Sequence, residues 1–67
     1  MKVTYTLKNA IGKRRSIEFD GHVYQGDLLR FEGTNEIHRV ISRTLNVPFD
    51  IALPITDVEI ETEIHKP

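Results

Sequence analysis

The sequence predicts a single small all-β domain, built as an antiparallel barrel or strongly curved sheet of five to six strands, and three observations lead there. Val, Ile and Thr supply 19 of the 67 residues while Ala supplies two, so side chains that suit a pleated sheet far outnumber the best helix former. Apolar and polar residues alternate with period two near both ends of the chain. Gly12, Gly21, Gly26 and Gly33 stand singly between the alternating runs, as turn residues do.

Taken in order, Val3, Tyr5 and Leu7 share one face against Lys2, Thr4, Thr6 and Lys8, which makes a half-buried strand. Asn9 to Gly12 supplies a turn, and the chain resumes at Arg15 with Ile17 and Phe19 against Ser16 and Glu18. Asp20-Gly21 then predicts a tight two-residue hairpin, because a type I′ loop needs positive φ at both positions. In that register Ile17, Phe19 and Tyr24 share a core face, with Glu18 and Val23 on the other. Gly26-Asp27 breaks the strand, and Leu28 to Glu32 forms a third hairpin with the run Glu36 to Leu45. Its loop has two or three residues, opposing Phe31 with His38 or with Ile37. Simple alternation puts Arg39 and Arg43 on one face with Ile37 and Ile41.

Pro48 and Pro54 exclude a central strand near 46–54, which reads as a loop or short 3₁₀ turn. Its apolar residues, Val47, Phe49, Ile51, Ala52 and Leu53, are expected to cap one end of the barrel, because so small a core needs every apolar side chain. The alternative is that Phe49 and Ile51 face a partner. In the last strand Val58, Ile60, Thr62 and Ile64 oppose Asp57, Glu59, Glu61 and Glu63, a charged ladder expected at an exposed sheet edge. Residues 65–67 read as a frayed tail.

Closing or nearly closing the sheet removes wet faces and free edges, so a barrel is preferred. The strand lengths and the apolar turn before the final strand resemble an SH3-like barrel more than an OB-fold. At 67 residues only about 60% of the unfolded surface is buried, which bounds the chain to one domain, 1–67, with one core. There is no Cys to staple it, which favours a reducing compartment. Packing quality or association with another chain must supply the reinforcement. The alternating start carries no signal peptide or membrane span, so a soluble, cytoplasmic protein is expected.

No constellation with catalytic or metal-binding spacing occurs. His22, His38 and His65 lie far apart in the chain. Ser16 and Ser42 lack a glycine elbow, and no glycine-rich phosphate loop is present. His38 reads as a satisfied structural histidine. No cofactor is expected. The net charge of −1 argues against nucleic-acid binding driven by bulk charge, but residues 1–33 carry six basic and four acidic side chains and residues 34–67 carry three and six.

The reading that follows is a non-enzymatic interaction module, an adaptor, regulator or structural accessory protein. Its partner is another protein or a second copy of the chain, met through Phe49, Ile51, Asp57, Glu59, Glu61 and Glu63. One alternative is weak nucleic-acid binding through Lys8, Lys13, Arg14, Arg15, Arg39 and Arg43. Another is an acidic decoy: carboxylates about 6.6 to 6.8 Å apart along a strand resemble the phosphates of one nucleic-acid strand. The size and lack of Cys are compatible with a protein encoded by a phage or another bacterial mobile element.

Overall fold

A computed structural model describes residues 2–66. Among them every regular element is a strand: β1 (Val3–Ile11), β2 (Arg14–Phe19), β3 (Leu28–Arg30), β4 (Ile37–Asn46) and β5 (Asp57–Ile64). They form one sheet in the order β2-β1-β5-β4-β3. Pairing is antiparallel except between β1 and β5, which run parallel with Thr4 beside Asp57 and Leu7 beside Ile60. The all-antiparallel expectation therefore fails at the centre of the sheet. β5 is the central strand, not an edge, so the edge-protection reading of its carboxylates fails as well.

Both corrections trace to residues 20–27. Asp20-Gly21 makes no hairpin: neither residue has positive φ, and no further strand begins before Leu28. The chain instead crosses the concave face of the sheet, and one expected reversal of strand direction is lost. What holds it is Tyr5, wholly buried, whose hydroxyl donates to the Gly21 carbonyl at 3.1 Å and accepts from the Val23 N–H at 3.0 Å. Those two bonds satisfy backbone groups that a ladder would otherwise have satisfied. Val23 is thereby buried in the core, whereas Phe19 and Tyr24, expected there, are about half exposed. A turn over Tyr24–Asp27 docks the crossover on β4: Gly26 N–H donates to Val40 O at 2.8 Å and Val40 N–H to Asp27 O at 2.9 Å.

The core on that concave side comprises Val3, Tyr5, Leu7, Ile11, Val23, Phe31, Val40, Val58 and Ile60, with Ile17 and Leu29 packed against it. The β1 and β5 alternations thus point as their sequence says. The first loop is tighter than expected, closing at Gly12-Lys13 with Ile11 opposite Arg14 and Gly12 at φ +62°. Between Thr6 and Ile11 the β1 ladder is irregular, with Leu7 to Ala10 facing only Arg15. β3 and β4 pair Arg30 with Ile37 and Leu28 with Arg39, a wider loop than either register expected. Phe31 nonetheless meets His38 ring edge to face, with centroids 5.9 Å apart.

A bulge at Ile41 shifts the β4–β5 register between Val40 and Ser42. The extra residue changes the parity of the strand. His38 and Val40 face the core with Thr62 before the bulge, and Arg43 and Leu45 stand opposite Ile60 and Val58 after it. Arg39 and Arg43 consequently lie on opposite faces, contrary to simple alternation.

The sheet curls without closing. No Cα of β2 comes within 8 Å of one in β3, leaving an open seam between the two edge strands. No helix is long and apolar enough to cross a membrane among the described residues.

Candidate interaction surfaces

Beyond Asn46 and Asp57 the β4–β5 hairpin leaves the body of the domain. The chain there turns at Asp50, whose carboxylate accepts from the Ala52 N–H at 3.0 Å while its carbonyl accepts from the Leu53 N–H at 3.0 Å. The prolines that exclude a central strand also keep this loop from extending the ladder. It does not cap the barrel. Phe49 is wholly exposed and Ile51 is 91% exposed, with Val47 and Leu53 more than half exposed. The capping expectation fails because the hairpin carries the loop past the end of the sheet, out of reach of the concave face. The molecule is accordingly long, 42 × 19 × 18 Å.

A wider pattern surrounds the two tip residues singled out from the sequence. Leu45, Val47, Phe49, Ile51, Leu53 and Ile55 fall at every second position and are all exposed. This alternation is as regular as that of β1 or β5, and it was the available signal. The two prolines masked it by arguing for an irregular loop.

The acidic ladder lies on the convex face at mid-sheet, among polar neighbours. Glu61 meets Lys8 Nζ at 3.6 Å and accepts from the Ser42 hydroxyl at 3.5 Å. Glu63 pairs with Arg39, and Asp57 accepts from Asn46 Nδ2 at 3.3 Å. Glu59 and Glu61 are half-buried. The ladder is partly neutralised by its own sheet.

That arrangement also distributes the six basic candidates. Lys8 and Arg39 flank the ladder on the convex face. Arg43 turns to the concave side, where its guanidinium carbon lies 5.3 Å from the Tyr24 ring centroid, a cation–π contact. Its Nε is buried with no hydrogen-bond partner among the described residues. Lys13, Arg14 and Arg15 remain together and exposed at the first hairpin. The six do not make one continuous basic patch.

His38 is buried with both ring nitrogens engaged: Nε2 donates to the Glu36 carboxylate at 3.2 Å, and Nδ1 meets the Thr62 hydroxyl at 3.5 Å. This is the satisfied structural histidine expected. His22 stacks obliquely on Tyr24 at the surface, with centroids 5.8 Å apart. His65 N–H donates to Ile37 O at 2.7 Å, extending the β4–β5 pairing into the tail. Of that tail, Pro67 lies outside the described residues. No group of three or more His, Cys, Asp or Glu side chains among the described residues could hold a metal ion.

The seam missed by sequence reasoning is the other uncovered feature. Three clefts run along it. The largest, about 630 Å³, lies between the Lys13–Ser16 side and the Phe31–Thr34 turn. A second of about 300 Å³ is bordered by Arg14 and Arg30. The third, about 270 Å³, is lined chiefly by Ile17, Phe19, Val23, Leu28 and Leu29. Only the tertiary curl brings β2 opposite β3, so no local pattern could have revealed it. No family model, no curated protein and no solved structure matches the chain.

Proposed function

We propose that this chain is a non-enzymatic interaction module that binds another protein through the tip of the β4–β5 hairpin. The observation that carries the reading is the alternating apolar row from Leu45 to Ile55, exposed throughout and centred on Phe49 and Ile51. Exposed single apolar residues are ordinary, but six within eleven residues of one projecting hairpin mark a contact surface. An aromatic flanked by aliphatic residues has the composition of an interface centre.

The test is site-specific photo-crosslinking in the source cell. A photoreactive residue in place of Phe49 is expected to trap a discrete protein adduct, and the same residue in place of Thr6, on the convex face, is expected to trap none. The reading fails if position 49 gives no adduct or the same adducts as position 6.

A further inference from the structure

We propose that the occupant of the tip is a second copy of this chain, and that each copy seats its Phe49–Leu53 tip in the open β2–β3 seam of the other. The inference rests on the tip being a protein-binding surface and names what it binds.

The first support is the amount of surface left uncovered. A compact monomer of 7.7 kDa exposes about 4,300 Å² by the area-to-mass relation, whereas this chain exposes 5186 Å². The excess, about 900 Å², is close to the roughly 800 Å² that each partner buries in a stable interface. The radius of gyration agrees: 12.5 Å, against about 11 Å for a compact chain of this length. The shape is that of a fold whose cover is missing.

The second support is that the projection and the recess sit on one chain and match. The apolar seam cleft is about 270 Å³, and an apolar cavity of about 150 Å³ suffices to hold a benzene ring. A phenyl ring fits with room for the aliphatic groups beside it. Arg14, Arg30 and Glu32 border the adjoining cleft and Asp27 the apolar one, and the tip carries one carboxylate, Asp50, between its two most exposed apolar residues. The adjoining cleft carries the net positive charge that suits Asp50. Net charge of −1 leaves little repulsion between copies.

Reciprocal exchange about a two-fold axis satisfies both surfaces at once, because tip meets seam and seam meets tip. It also supplies the reinforcement that a cysteine-free domain of 67 residues lacks.

Sedimentation equilibrium over micromolar to millimolar concentrations tests this on the intact chain. The wild type is expected to reach twice the monomer mass. Phe49→Asp, which spoils the tip, and Leu28→Glu, which spoils the seam, are each expected to remain monomeric. Both positions are more than half exposed, so both variants should fold, as circular dichroism would verify. An equimolar mixture of the two variants is expected to recover a heterodimer, since one intact tip then meets one intact seam. The proposal is overturned by a monomeric wild type, by a dimer that survives either substitution, or by failure of the mixture to associate. A monomer that still gives an adduct to a different protein at position 49 removes the second copy and leaves the proposed function intact.

Discussion

The body and the tip of the β4–β5 hairpin carry similar sequence patterns and meet opposite fates. Along its body Val58, Ile60 and Thr62 alternate with carboxylates and are buried against Tyr5, Leu7, Val23 and Val40. Toward its tip, Leu45 to Ile55 alternate just as regularly and stay exposed. The difference is not in the residues but in what stands opposite them. Within the body β5 has β1 on one side, β4 on the other and the 20–27 crossover above. The tip has only itself. Alternation therefore specifies a face that wants cover, and the topology decides whether the chain provides it.

If that is right, substitutions should separate the two regions sharply. The largest effect is expected at Ile60, wholly buried at the centre of the central strand. Ile60→Ala should destabilise by about 2–5 kcal/mol, through lost transfer energy and a residual cavity. A domain of this size holds a total of roughly 3–10 kcal/mol, so urea denaturation should show a chain largely unfolded or close to it. A midpoint near that of the wild type would mean that the centre of the sheet is not where the stability lies.

A smaller loss, about 1–3 kcal/mol, is expected for Tyr5→Phe, which leaves the ring in place and removes only the hydroxyl between Gly21 O and Val23 N. The specific signature is local. Amide exchange at Val23 should accelerate more than exchange in β5, because the crossover loses its tie to the sheet. Uniform acceleration would show that the hydroxyl supports the whole fold and not the crossover in particular. Below this comes Gly12→Ala at the first hairpin. With φ at +62°, a Cβ should cost about 1–2 kcal/mol, read as a shift in thermal midpoint.

How far the sequence could be read follows the same division. The all-β class, the facing of β1 and β5 and the engaged state of His38 were legible because each depends on local period or on one satisfied side chain. The Asp20-Gly21 hairpin was not, although its dipeptide favours a tight turn. Tyr5, 16 residues away from Gly21 in sequence, offers those backbone groups an alternative partner, and a tertiary bond of that kind overrides turn propensity. The Ile41 bulge, which parts Arg39 from Arg43, left no mark in an alternation rule that assumes no insertion. Of the candidate site, Phe49 and Ile51 were found and the acidic ladder was placed on the correct face, but its central position depended on strand order. The seam depended on curl. Both are non-local.

The smallest expected effect is the most informative about the tip. Phe49→Ser removes the most exposed large apolar side chain in the molecule. Were Phe49 part of the fold, its loss would cost several kcal/mol, as for any buried aromatic. As an exposed residue it should change the stability of the monomer by less than about 0.5 kcal/mol. The measurement must be made in dilute solution, where self-association contributes nothing, and repeated at high concentration. A partner that binds only the folded chain raises apparent stability by mass action, so the wild type should gain stability with concentration while Phe49→Ser should not. Equal midpoints at low concentration and diverging midpoints at high concentration would locate the role of Phe49 in association. A difference already present in dilute solution would place the ring in the fold, and the contrast between the body and the tip of the hairpin would collapse.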